Sequence, residues 1–207
     1  MSHVLILTSS IAGDASVSGG LVARTVASLR ARQPHLQATT RDLGGSPIPH
    51  LDADAVAGIR GEPANEAQRA AQTLSNTLVD ELQRADTLVI GAPMYNFGIP
   101  STLKTWFDYV LRPGVTFRYT DAGPEGLLKG KKAIVVVSRG GLYSEGPAMT
   151  YDSQEPHLRT LLGFMGVTDV AFIRAERLAF GPEQHRAAIS NAEIAIEQAV
   201  DSMRAAA

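Results

Sequence analysis

Among the 207 residues there is no cysteine. That excludes disulfides, thiolate nucleophiles, CxxC redox pairs and every zinc or iron–sulfur site built on thiolates. If this chain carries out redox chemistry, its electron carrier is borrowed. An excess of charge of one sign is also missing. Lys and Arg number 19 against 21 Asp and Glu, a net charge of −2, so no basic field awaits a nucleic acid and no acidic tail solvates the chain. No apolar run approaches a membrane span. Met1-Ser2-His3 before Val4–Leu7 has neither the basic flank nor the length of a signal peptide, which places the expected location in the cytoplasm. The histidines (His3, His35, His50, His157 and His185) show no HxH or HxxxH spacing, so no metal site is expected. GxGxxG and GxSxG are absent. Gly126 to Lys131 is one residue short of a Walker A loop and is followed by Lys132 instead of Ser or Thr. The usual dinucleotide fingerprint, a nucleoside triphosphate loop and a serine-hydrolase elbow are thereby removed, and a mononucleotide fits better.

What remains is ordinary globular composition, 44% hydrophobic and 19% charged, in a length that suits one domain over 1–207. Apolar segments alternate in type. Val4–Leu7, Thr87–Ala92 and Ala133–Val137 are short continuous runs, the mark of strands buried on both faces. Leu36–Asp42 and Val167–Arg174 read as two further strands. Between them lie residues at helical spacing: Leu21, Val22, Val26 and Leu29; Ala67, Ala71, Leu74, Leu78 and Leu82; Leu103, Trp106, Phe107, Val110 and Leu111; Glu155–Phe164; and Ile189, Ala192, Ile196, Ala199 and Met203. Gly44–Pro63 is expected to be mainly loop with a helical turn around Asp52–Ala57, and Arg112–Gly130 an irregular excursion. Five strands separated by helices predict an α/β, doubly wound parallel sheet in three α/β/α layers, with strand order 2-1-3-4-5. That order places ligands beyond the carboxyl ends of the first, third and fourth strands.

The three loops at those ends carry the candidate chemistry. After the first strand, Ser10, Ser16 and Ser18 precede or open a helix whose N-terminal N–H groups favour an anion, so hydroxyls and backbone can hold one phosphate without a cation. A serine there is also an ordinary N-cap. After the third strand, Met94, Tyr95, Asn96 and Phe97 offer apolar surface for a flat ring and an amide for its polar edge. After the fourth, Ser138, Arg139, Gly140 and Gly141 let backbone approach a ligand closely, or simply make a tight turn. Trp106 and Phe107 face inward on their helix, and Lys104 with Asp108 is an i, i+4 surface pair.

Taken in order, Pro93-Met94-Tyr95-Asn96-Phe97, Lys104, Gly114 to Thr120, Gly123 to Leu127, Gly130-Lys131-Lys132 and Ser138-Arg139-Gly140-Gly141 resemble the bacterial FMN-dependent NADH:azoreductases. Arg41-Asp42-Leu43, Pro47-Ile48-Pro49 and Leu162 to Asp169 extend the similarity over nearly the whole chain. The resemblance implies a flavodoxin-like homodimer with one FMN per subunit and active sites at the interface. It implies a phosphate held by Ser10, Ser16 and Ser18 with the backbone of Val17, and a ring bordered by Met94–Phe97 and Ser138–Gly141. It also implies reduction of azo compounds and quinones by NADH or NADPH. Tyr119, Phe164 and Phe172 are candidate ring-stacking contacts for substrate, with core packing the competing role for each phenylalanine. A flavodoxin-type electron carrier without substrate turnover is the main alternative, and a nucleotide-binding regulator without redox activity a third.

Overall fold

Val4 to Leu7 form the interior of β1 (His3–Thr8), and all four are buried, as a strand covered on both faces requires. In chain order there follow α1 (Val17–Arg32), β2 (Gln37–Asp42), α2 (Ala53–Arg60), α3 (Glu66–Arg84), β3 (Thr87–Pro93), α4 (Ser101–Val110), β4 (Phe117–Thr120), β5 (Gly123–Gly126), β6 (Lys132–Ser138), α5 (Glu155–Phe164), β7 (Asp169–Ala175) and α6 (Pro182–Ala205). The computed structural model describes residues 2–205.

β2, β1, β3, β6 and β7 lie side by side in that order, all parallel. Counted along the chain within this sheet, the order is the expected 2-1-3-4-5. Successive side chains point to opposite faces, which divides the core in two. Leu5, Leu7, Leu88, Ile90, Val135 and Val137 pack under α2 to α5. Val4, Ile6, Val89, Ile134 and Val136 pack under α1 and α6. Trp106 and Phe107 are both in the first of these layers, fully buried.

The strands end together. Thr8 is level with Asp42 and Gly91, Pro93 with Ser138, and Ser138 with Ala175. From β1 the chain crosses to β2 on one side, then returns past β1 to β3 on the other. The loops after β1 and β3 therefore part at a crevice on the carboxyl edge.

Two segments exceed the sequence expectation. The turn expected around Asp52–Ala57 is the longer helix α2, reaching Arg60 and capped by the Asp52 carboxylate, which accepts from Ala55 N–H at 2.8 Å. Gly58 lies inside α2 and permits contact with α3, since a Cβ there would sit 2.2 Å from the Gln68 carbonyl oxygen. The glycine is a packing residue, although in sequence it reads as punctuation. The excursion holds an antiparallel hairpin, β4 with β5. Gly123-Pro124-Glu125-Gly126 has almost no strand propensity. It is held instead by pairing with Phe117–Thr120 and by the close seat of Gly126 against Met165 and Gly166. Among the described residues no helix is long and apolar enough to cross a membrane, and no group of three or more His, Asp or Glu is placed to hold a metal.

Candidate functional site

The loop after β1 is pinned before it is free to curve. The buried Ser9 hydroxyl donates to the Gly91 carbonyl on β3 at 2.7 Å. Ser10 Oγ accepts from Ala12 N–H at 3.2 Å, and Ile11 N–H donates to the Tyr95 hydroxyl at 3.1 Å, which ties this loop to the one after β3. On the β2 side Leu43 N–H donates to the Thr8 carbonyl at 2.7 Å, and Thr8 Oγ1 donates to Asp42 at 3.1 Å. Gly44 lets the two loops touch: a Cβ there would meet the Ser10 carbonyl oxygen at 2.0 Å.

Ser16 is the N-cap of α1, its Oγ accepting from Gly19 N–H at 2.9 Å, so the ordinary capping role is present. It does not use up the hydroxyl, whose proton remains free for a second partner. Ser18 Oγ lies 3.3 Å from Ser16 Oγ in a buried position. Among the described residues the N–H groups of Val17 and Ser18 find no acceptor in the chain, as first-turn donors do not. A cleft of about 300 Å³ opens beside them, lined by Ser10, Ser16 and Gly19 and rimmed by Asp14 and Asp42. Among the described residues no Lys or Arg lines it. Hydroxyls, N–H groups and a helix dipole suit one compact anion, while the acidic rim repels a polyanion.

The loop after β3 is strained. Tyr95 and Gly98 exchange both backbone hydrogen bonds at 3.1 Å, closing a tight turn whose central residues Asn96 and Phe97 have φ of 48° and 71°. The left-handed region suits asparagine and costs a phenylalanine on the order of 1 kcal/mol or more. The turn projects both side chains outward and leaves their N–H groups unpartnered among the described residues. Met94 N–H donates to the Ser138 carbonyl at 2.9 Å, joining this loop to the next. The half-exposed Phe97 ring meets Tyr143 edge-on at 6.0 Å and Tyr151 at 5.8 Å.

The loop after β6 begins with a buried charge. The Arg139 guanidinium is wholly enclosed and lies 2.9 Å from Asp152, 3.0 Å from Glu176 and 2.9 Å from Gln154 Oε1. Gln154 in turn donates to the Ala92 carbonyl at 2.9 Å, so one network joins the ends of β3, β6 and β7. The Arg139 side chain is turned into these partners and its N–H donates to the Ala175 carbonyl at 2.8 Å, so neither is directed at the cofactor expected beside it. Burial pushes the Glu176 carboxyl up, yet hydrogen bonds from Ser144, Tyr143 N–H and Arg139 prevail and hold it below the ordinary carboxylate value. Glu155 is likewise raised by burial but lowered overall by Arg174 and Arg159. Gly140 and Gly141 follow, with N–H groups unpartnered among the described residues.

Ser10, Ser16, Val17, Ser18, Met94–Phe97 and Ser138–Gly141 thus share one edge. Tyr119, Phe164 and Phe172 stand apart from it. Tyr119 is 73% exposed on β4 and edge-on to Phe117 at 5.5 Å, and Phe117 meets Phe164 at 4.7 Å, so Phe164 anchors the hairpin. Phe172 lies mid-strand in β7, paired with Val135, under the Arg159 guanidinium at 4.4 Å. No ring contact among the described residues joins these three to Phe97.

Sequence reasoning missed Asp152, Gln154, Glu176, Tyr143 and Tyr151. One signal was available for Asp152 and Glu176. A buried arginine directly after an all-apolar strand demands carboxylates from elsewhere, because an unpaired charge is too costly to bury.

A model described as flavodoxin-like fold matches residues 2–200. The chain is 53% identical over 193 residues to an FMN-dependent NADH:quinone oxidoreductase of Hyphomonas neptunium, covering 93% of each. It is 47% identical over 200 residues to FMN-dependent NADH:quinone oxidoreductase 2 of Pseudomonas fluorescens, covering 96% of this chain and 99% of the relative. Its fold superposes on the crystal structure of an azoreductase from Bacillus anthracis with a TM-score of 0.89 at 29% identity, covering 97% of this chain and all of that one. With its sheet order, its strand-end loops and these similarities in agreement, the chain belongs to the flavodoxin-like-fold family that includes these quinone oxidoreductases and azoreductases.

Proposed function

We propose that the chain, acting as one domain, is an FMN-dependent oxidoreductase that takes electrons from NADH or NADPH and passes them in pairs to quinones and azo compounds. The observation that carries this reading is the convergence of three unlike loops on one edge: an anion cradle without lysine or arginine, a strained aromatic turn and a run of N–H groups unpartnered among the described residues. The donor set fits FMN. Ser10, Ser16 and Ser18 with the N–H groups of Val17 and Ser18 would hold its single phosphate. Met94, Tyr95, Asn96 and Phe97 would border the ring on one side, and Ser138 to Gly141 on the other.

When bound, FMN supplies reversible two-electron transfer. The chain's residues bind, orient and shield. Phe97, with Tyr143 and Tyr151 against it, forms an aromatic wall for a flat donor or acceptor. The N–H groups of Gly140 and Gly141 would meet the polar edge of the ring, where negative charge gathers on reduction. One slot serves both substrates in turn, which makes the cycle ping-pong. A quinone takes two electrons and two protons to give a hydroquinone. An azo bond takes four electrons and four protons, from two NADH and two solvent protons, to give two amines. The chain forms a homodimer with sites at the interface, in which the exposed Tyr119 hairpin, with Phe164 behind it, and Phe172 serve the slot of the partner.

Anaerobic mixing tests the reading. The purified protein should show a flavin spectrum that NADH bleaches and that benzoquinone or an azo dye restores. Flavin that NADH leaves oxidised unless a separate reductase is added would mark an electron carrier instead. Sedimentation should give twice the chain mass, and a monomer retaining full activity would overturn the shared site.

A further inference from the structure

The loop that follows β7 makes bonds to the loop after β6 in a pattern with a directional consequence. Arg177 N–H donates to the Gly141 carbonyl at 2.8 Å, Leu178 N–H to the Arg139 carbonyl at 3.2 Å and Ala179 N–H to the Gly140 carbonyl at 3.0 Å. Three successive carbonyls are thus drawn to one side. In a trans peptide each carbonyl points opposite to the N–H of the next residue, so the N–H groups of Gly140, Gly141 and Leu142 are turned to the other side. Among the described residues none of the three has an acceptor in the chain.

A second set of bonds fixes the far end of this loop. One Glu176 oxygen, Oε1, accepts from Tyr143 N–H at 2.9 Å, Ser144 N–H at 3.1 Å and Arg139 at 3.0 Å, while Oε2 accepts from the Ser144 hydroxyl. The carboxylate side chain is only 9% exposed. The next residue, Arg177, is a non-glycine in the left-handed region with φ of 62°, a conformation held against its own cost.

We infer that Glu176 is a positioning residue: through its bonds to Tyr143, Ser144 and Arg139, with the Arg177–Ala179 amides beside it, it aims the Gly140, Gly141 and Leu142 N–H groups as a preorganised three-donor hole. The inference rests on the proposed FMN site, whose ring edge these donors would face. Glu176 touches neither the ring nor a substrate. Its effect is on geometry, and it falls mainly on the reduced state of the cofactor, because aligned donors count most where negative charge develops.

The test compares the parent with Glu176→Gln, which keeps the shape but loses the charge and one acceptor oxygen. Midpoint potentials and FMN dissociation constants are measured for both holoproteins. In the variant the ratio of reduced to oxidised affinity should fall about tenfold, a potential about 30 mV more negative for a two-electron couple. Ser144→Ala removes one surface donor to Glu176 and should move the ratio the same way, about threefold. It keeps the test open if Glu176→Gln does not fold. An unchanged potential in folded Ser144→Ala or Glu176→Gln overturns the positioning role. In the parent, FMN should slow amide exchange at Gly140 to Leu142. FMN binding without that protection overturns the proposal alone, whereas a parent that binds no FMN overturns the proposed function with it.

Discussion

Replacing Gly44 by alanine tests the phosphate cradle through a single contact. The added Cβ would lie 2.0 Å from the Ser10 carbonyl oxygen and 2.7 Å from its carbon. Carbon and oxygen ordinarily stop about 3.3 Å apart, so the two loops must separate by about 1.3 Å. Gly44 is not among the residues with positive φ, so its backbone conformation suits alanine and the contact alone is perturbed. The β2 side resists, because Leu43 is buried and bonded to Thr8, and Asp42 accepts from both Gly44 N–H and Thr8 Oγ1. The loop carrying Ser10 is softer, since Ile11 to Ala15 are exposed. Strain of this kind costs about 1–3 kcal/mol. Borne by the cradle, it should weaken FMN binding about 5- to 150-fold. The same energy lowers the melting temperature by only about 2–12 °C for a chain of this size. Fluorescence titration of FMN and thermal melts of apoprotein and holoprotein give both numbers. A melting point that falls while FMN affinity stays at the parent value would refute the reasoning, because the strain would then have entered the core.

Ser18→Ala removes a buried hydroxyl from the proposed phosphate site, where no lysine compensates, and should weaken FMN about 10-fold or more in the same titration. Ser16→Ala should in addition lose the α1 cap, about 1 kcal/mol, seen as a lower apoprotein melting point. Phe97→Asn relieves the left-handed strain but removes the ring, so stability should hold or rise while KM for a flat quinone increases about 2- to 13-fold, the range for one aromatic contact. The depressed carboxyls of Glu155 and Glu176 set an acid limit. Because their folded values lie below the ordinary 4.5, their contribution is intact above that pH and is lost as pH falls through the folded values. Melting temperature from pH 7 to pH 3 should therefore drop below about pH 4.5, and Glu155→Gln should flatten the drop.

The three buried strands were legible because each is a continuous apolar run, a pattern that survives any context. The start of α1 was legible too, since hydroxyls and small residues before an amphipathic segment advertise a helix start. Glycines misled where they serve contact: Gly58 reads as a break and is the point where α2 meets α3. β5 left no trace, because Gly-Pro-Glu-Gly becomes a strand only through its partner.

By itself the sequence determined the doubly wound sheet and the absence of thiol chemistry, because periodicity and residue type act locally. Tertiary structure alone decided that the Arg139 side chain is a buried hub joining Asp152, Gln154 and Glu176. It also set Phe97 against Tyr143 and Tyr151, and placed Glu176, at the carboxyl end of β7, to hold the loop after β6. Those relations join residues that are remote in the chain, and a side chain's partners across such distances follow from packing.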